Sequence, residues 1–537
     1  MKQITAIIVL ILAQSLAFSQ GDYPDLNQIS KRLKALDDHP KVKLTTLTKT
    51  LGGNDIYALK IGTGDLDNKP AIAVVGGVEG YHVLSVELAL QFAERLVTEE
   101  ADVLDGTTFY VFPNMSPEAY AQYHDQLKYE RRGNASSLDH DRDGRMNEDP
   151  YEDLNNDGFI TQIRIESPVG KYISHPDDAR AMVEVDTSSS DATRYQVYSE
   201  GFDNDKDDKF NEGLKEAYAF NKIFSFKFPV FEPLAGDYAV SQIETRALLD
   251  YLYKQFNIYA FVTFGPANNL SSPLKYDAQE AKKRIVSSPL KGDVAINKMI
   301  SEIYNESISQ KPYKQDNHGT DGDFFQWAYF HFGRLSFSTP GWWVPEAKKD
   351  TTSASDKKIK ETEVSNFLKW AEQENLDNVF IEWEKINHPS FKNQTVEVGG
   401  VKPFVMENPP FSKVDSIALE HTNFILKLAQ QQQKLEFHNL KVEDLNGGLK
   451  RITVDLLNNG NLPSHSELGQ RSRWLKKIRV DLNLSEDDII VGNNIELIDR
   501  MEALETKTLS WVIKGNGKVN LKAGAPHTGF TELNINL

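Results

Sequence analysis

Residues 71–82 read AIAVVGGVEGYH and are followed, after Val83, by LSVELALQFAERLVTEE from Leu84. An apolar, β-branched run of this kind is a strand buried on both faces, and the segment after it carries apolar residues at helical spacing. A strand covered on both sides needs helices above and below, which confines the chain to α/β architectures. Further strands follow at TFYVFP from Thr108, YAFVTF from Tyr259 and RLSFST from Arg334. Ser241-Gln242-Ile243-Glu244 reads as a capping box ahead of the helix TRALLDYLYKQF. The alternation predicts a mixed, mostly parallel sheet with helices on both faces. Ligands of such sheets lie at the carboxyl ends of the strands, so the turns after Val75, Phe112, Phe264 and Thr339 are the candidate site.

Past Gln430 the pattern changes. KRITVDLLNNG, KKIRVDLNL, TLSWVIKGNG, KVNLKAG and FTELNINL alternate polar and apolar residues and end in Gly and Asn turns. That is the pattern of a β-sandwich over residues 434–537, joined to a domain over 21–430 at the QQQQKLEF segment. At the other end, Met1-Lys2-Gln3, the apolar run from Ile4 to Leu12 and the small-residue site at Ala17-Phe18-Ser19 have the order of a secretory signal peptide over residues 1–20. The run is shorter than the ~20 apolar residues of a spanning helix, so export to the periplasm or beyond is expected, with no membrane span. The chain has no cysteine, so an exported form would be stabilised by packing or bound metal and not by disulfides. Its net charge of −18 argues against a nucleic-acid partner, which would call for a basic face.

An insertion at about residues 130–215 is too long for an ordinary loop. It holds DHDRDGRMNED, DLNNDGFI and DNDKDDKFNE, and the first and third share one frame: Asp139, Asp141, Asp143 and Glu148 correspond to Asp203, Asp205, Asp207 and Glu212. Together with Asp153, Asn155 and Asp157 these are candidate calcium ligands, because carboxylates at every second position of a tight loop converge on a hard cation that takes roughly six to eight oxygens. Pro150, Arg164 and Leu214 stand where an EF-hand would have its bidentate glutamate.

The turn Gly77-Val78-Glu79-Gly80-Tyr81-His82 resembles that of the zinc carboxypeptidases, which reads G-x-H-G-x-E, with the His and Glu as the first two zinc ligands. Here Glu79 and His82 stand in reversed order. The resemblance extends over roughly residues 25 to 390 through ERRGN, Asn221-Lys222-Ile223-Phe224, SQIETRAL, FVTFG and FFQWAYFHFGRLSFSTP. It implies that Arg132 corresponds to the arginine that polarises the scissile carbonyl, and that Asn221 and Lys222 correspond to the pair that grips the substrate's terminal carboxylate. It also implies a third zinc ligand at Gly265 and a catalytic glutamate at Pro340, and neither residue has a donor to give. A catalytic zinc needs three protein ligands and an open position, so zinc is doubtful and no catalytic residue is intact. Glu79 and His82 are the zinc candidates that remain: a plain hydrogen-bonded pair between them is expected, the alternative being that they hold a metal weakly, and His124, His318 and Asp323 are the candidates to replace lost groups.

Three readings follow. The chain is a non-catalytic member of the family that binds a peptide or protein C-terminus or acts as a scaffold. Alternatively it is a metallocarboxypeptidase with a rearranged site, or a calcium-stabilised structural protein.

Overall fold

A computed structural model describes residues 21–99, 101–137, 150–185, 192–204, 210, 217–312, 319–348, 362–472 and 474–537. The main sheet has six strands in the order Val42–Lys49, Asp55–Ile61, Thr108–Phe112, Ala71–Val75, Ile258–Phe264 and Leu335–Thr339. The last three pairings are parallel and the first two antiparallel. Ala71–Val75 lies inside the sheet, and all five of its residues are buried, as an uninterrupted apolar run requires. Its side chains alternate between two cores. Ile72 and Val74 face the helices Val83–Thr98, Lys291–Ser307, Glu363–Gln373 and Val414–Gln430. Ala73 and Val75 face Ile243–Leu252 and Phe324–Phe330, where Leu248, Leu252 and Trp327 are fully enclosed. The expected mixed sheet with helices on both faces is therefore present.

Two local expectations need correction. The helix after Ser241 begins at Ile243 with Gln242 at its N-cap and no side-chain capping bond, so no capping box forms. Glu244 is instead drawn to the ERRGN segment, where its Oε1 accepts a 2.8 Å bond from Asn134 Nδ2. The insertion also holds more than loop. Gln162–Glu166, Tyr172–Ser174, Met182–Glu184 and Tyr195–Ser199 join Phe380–Ile386 and Val396–Val401 in a second six-stranded antiparallel sheet. Its core is small, built on Ile163, Ile165, Val396 and Val398, and two of its six strands lie far downstream in sequence.

The C-terminal module is a sandwich of two four-stranded sheets. Leu435–Leu445, Leu449–Asn458, Thr506–Lys514 and Ile489–Val491 face Ile495–Ile498, Ile478–Leu482, Lys518–Ala525 and Gly529–Asn536. Trp511, Ile452, Val454, Val480 and Leu521 fill the space between them. Asp293 fastens this module to the main domain: its carboxylate accepts from Glu467 N at 2.7 Å, Leu468 N at 3.1 Å and Tyr329 Oη at 2.6 Å. No helix among the described residues is long and apolar enough to cross a membrane.

Candidate functional site

The turn after Ala71–Val75 opens with Gly77 at φ +62°, where a Cβ would lie 2.6 Å from Asn114 Oδ1 and 2.8 Å from Asn114 Cα. Glycine permits both the conformation and the close approach. The turn then places Glu79 and His82 in buried positions, with His82 at the N-cap of Val83–Thr98. Their side chains do not pair, contrary to expectation; the bond between the two residues runs from His82 N to Glu79 O, at 3.2 Å. The His82 ring bonds the Pro340 carbonyl, its Nε2 has no partner, and burial pushes its pKa down to about 4, so the ring is neutral.

Glu79 has other partners. Arg132 Nη2 donates to both of its carboxylate oxygens at 3.4 Å, and Asn221 Nδ2 donates to Oε1 at 3.2 Å. Asn221 is oriented for this because its Oδ1 accepts the Phe324 N–H at 3.0 Å. The neighbouring Glu79 raises the pKa of Arg132, whose guanidinium lies 5.8 Å from the centre of the Tyr81 ring. The Glu79 side chain is 4% exposed and that of Arg132 37%, so the carboxylate is enclosed while the arginine reaches solvent. Arginine and asparagine, assigned by resemblance to a substrate's carbonyl and carboxylate, are here engaged by a carboxylate of the chain itself. Reading from the residues outward did not foresee this. The available signal was that a glutamate in a histidine's position stands before two side chains suited to bind carboxylates.

Lys222 follows in the short turn Phe220–Lys222 and is half-buried. Beyond it the chain runs through four non-glycine residues at positive φ, Lys227, Phe231, Leu234 and Val240, and exposes Val230 and Phe231. Such backbone is strained and persists only where the surroundings impose it. Here Ala219 N bonds Leu234 O at 2.8 Å and Val240 N bonds Ile223 O at 2.7 Å, fixing the loop to the segment that carries Asn221 and Lys222.

The other positions offer no metal chemistry. Gly265 donates its N–H to Thr339 O at 3.0 Å, and a Cβ there would come within 2.7 Å of Val78 Cγ2, so a ligand side chain would have to displace Val78. Pro340 follows Ser338 and Thr339, which pair with Thr263 and Phe264, and a register shift of one or two residues would still place no carboxyl in the glutamate's position. His124 bonds Pro24 O at 3.1 Å and packs on Tyr120 and Tyr123; its contacts are elsewhere. His318 lies outside the described residues. Asp323 caps Phe324–Phe330, accepting from Gln326 N and Thr320 N at 2.7 Å each, and burial pushes its pKa up to about 7. Among the described residues no group of three or more His, Cys, Asp or Glu side chains could hold a metal. A catalytic zinc does not fit this donor set, since Glu79 is bound by two hydrogen-bond donors and His82 stands alone.

Of the calcium candidates, Asp139, Asp141, Asp143, Glu148, Asp205, Asp207 and Glu212 lie outside the described residues. Asp153, Asn155 and Asp157 form a self-bonded turn. Asp153 accepts from Gly158 N at 2.8 Å and Asp157 N at 3.2 Å, and Asn155 Nδ2 donates to Asp157 at 2.9 Å.

The chain belongs to the zinc carboxypeptidase family, whose model matches residues 29–340. A second model, "Domain of unknown function (DUF8731)", matches residues 434–536. Among solved structures, bovine thrombin-activatable fibrinolysis inhibitor is similar at 11% identity and a TM-score of 0.40, covering 76% of this chain and 96% of its own. Carboxypeptidase A of Helicoverpa armigera is similar at 13% identity and a TM-score of 0.38, covering 63% of this chain and 70% of its own. A metallo-carboxypeptidase of Burkholderia cenocepacia is similar at 11% identity and 0.32, covering 58% of each chain. A search of curated proteins returned no match.

Proposed function

We propose that this family member is exported and binds peptide termini without cutting them. The observation that carries the reading is the carboxylate of Glu79, in the position of a zinc-ligating histidine, held by Arg132 and Asn221. A side chain so bound is poorly placed to ligate zinc, and neither Gly265 nor Pro340 replaces what is missing. Lys222 remains as the cation for a ligand's terminal carboxylate, and Val230 and Phe231, exposed on the loop that follows it, offer apolar surface. The signal-like segment at residues 1–20 supports export. The reading also includes calcium at the acidic repeats, which their two-residue carboxylate spacing supports; a melting temperature indifferent to calcium and to chelator would remove that part.

The test is metal content by mass spectrometry together with mass analysis of a peptide pool incubated with the protein and added zinc. Saturable binding of peptides that emerge uncut is expected, weakened at least tenfold by Lys222→Ala. Stoichiometric zinc with chelator-sensitive release of C-terminal residues would establish the rearranged metallocarboxypeptidase instead. Absence of any peptide binding would leave the scaffold role.

A further inference from the structure

The hairpin joining Lys518–Ala525 to Gly529–Asn536 ends in Pro526-His527-Thr528, and its tip is pressed against the main domain. A Cβ on Gly529 would lie 3.4 Å from Pro70 Cδ, and Gln433, at the joint between the domains, donates its Nε2 to the His527 carbonyl. The turn is braced from within, by Thr528 N to Ala525 O at 3.0 Å and Ala525 N to Thr528 Oγ1 at 2.9 Å. A second histidine lies beside it: the His465 and His527 rings are edge-to-face with centroids 6.0 Å apart. They are 4% and 1% exposed.

Neither ring is satisfied. His527 has no partner at Nδ1 or Nε2, His465 has none at Nε2, and Gln433 Oε1 also lacks one. Ser464 Oγ accepts from Met501 N at 3.0 Å, so its own hydrogen is available for His465 Nδ1, 3.1 Å away. With Ser464 as the donor, His465 carries its one proton on Nε2, a buried atom without a partner. The charged surroundings are mainly positive. Arg334 acts on both rings; it is fully buried at the start of the sheet strand Leu335–Thr339 and bonds only carbonyls, at Ile258, Phe332 and Gly333. Arg500 donates to the His465 carbonyl at 2.9 Å and acts on its ring, where Asp499 opposes it. Tyr253 faces Arg334, and among the described residues no carboxylate acts on His527. Ser466 Oγ donates to Gly333 O at 3.0 Å, which ties the His465 segment to the Arg334 segment.

We propose that this double-histidine junction is an acid-sensitive latch, in which protonation of His465 or His527 expels the hairpin tip and releases the C-terminal sandwich from the carboxypeptidase-like domain while both stay folded. A third and fourth cation are strongly disfavoured in a buried junction that already holds Arg334 and Arg500. Burial and the arginines push both histidines down, His465 to about 3 and His527 well below its ordinary value. A histidine with a lowered pKa in the closed state supports closure fully above its free pKa near 6.5, and the support is lost progressively as pH falls below that. At pH 5.5 each histidine multiplies the open-to-closed ratio by about ten, and the pair by about a hundred.

The experiment is limited proteolysis at the Gln430–Lys434 joint of the full chain at pH 7.5 and 5.5, at matched ionic strength. An unstructured reporter peptide corrects for the protease's own pH response, and scattering is recorded in parallel. Cleavage of closed and open forms in fast exchange follows the open population. The expected result is joint cleavage about a hundredfold faster at pH 5.5, with a larger radius of gyration, unchanged circular dichroism and full reversal at pH 7.5. His465→Phe with His527→Leu should flatten the response. His527→Gln alone, a milder change should that double variant fail to fold, should leave about tenfold. Acid-independent cleavage of the wild type, an unaltered response in the variants, or loss of circular dichroism in step with cleavage would overturn the proposal.

Discussion

Replacing Glu79 by alanine should convert a self-occupied cleft into one that takes carboxylates from solution. The substitution leaves Arg132 Nη2 and Asn221 Nδ2 without the acceptor they share at 3.4 and 3.2 Å. Removing one partner of a fully buried pair costs about 3–5 kcal/mol. Arg132 is 37% exposed, so water repays part of this and the expected loss is nearer ~2 kcal/mol. In a chain of this size that is a fall of a few degrees in melting temperature. The vacated position is a small cavity faced by a guanidinium and an amide, to which acetate is matched in size and charge. At a concentration one hundred times its dissociation constant, acetate would restore about 2.7 kcal/mol. The assay is thermal melting of wild type, Glu79→Ala and Glu79→Gln at pH 7.5, titrated with sodium acetate against sodium chloride of equal ionic strength. Wild type should be indifferent to acetate, Glu79→Ala should recover most of its loss, and Glu79→Gln, which keeps the shape and an acceptor, should lose less and recover little. A Glu79→Ala variant that melts with wild type, or acetate that stabilises both equally, would refute the claim that Glu79 occupies a carboxylate subsite.

Gly265→His should not rebuild a zinc site: its Cβ meets Val78 Cγ2 at 2.7 Å, and a loss of about 1–3 kcal/mol by denaturant titration is expected, with no gain in bound zinc. Asp323 has its pKa raised to about 7 by burial, so the folded state holds a proton the unfolded chain releases near pH 4, and stability should decline as pH rises from about 4 to 7. Asp323→Asn, which keeps a capping side chain, should flatten that part of the pH–stability curve while costing less than Asp323→Ala, for which about 1 kcal/mol of capping is lost as well. Asp293→Ala leaves the Glu467 and Leu468 N–H groups and the Tyr329 hydroxyl without their acceptor, and should cost about 2–3 kcal/mol and raise protease sensitivity at the joint between the domains.

Much of the architecture was legible in local pattern. The run AIAVV cannot be solvated on either face, so it specifies an inner strand with helices on both sides, and period-two alternation after Lys434 specifies a sandwich whatever the partners. Gly265 and Pro340 carry no donor in any fold, so the lack of a ligand and a base there was also readable from the chain. What local pattern cannot carry is pairing at a distance. The second sheet was hidden because Gln162–Glu166 finds its partner in Val396–Val401, and the capping box failed because Asn134 claimed Glu244. The same holds for the site. Sequence spacing put Glu79 and His82 three residues apart and suggested a mutual bond, but the sheet and its loops bring Arg132 and Asn221 to Glu79 and turn His82 toward Pro340. Side-chain chemistry is a property of each residue, whereas the partner that satisfies a buried charge is decided by which segments the fold brings within about 3 Å of it.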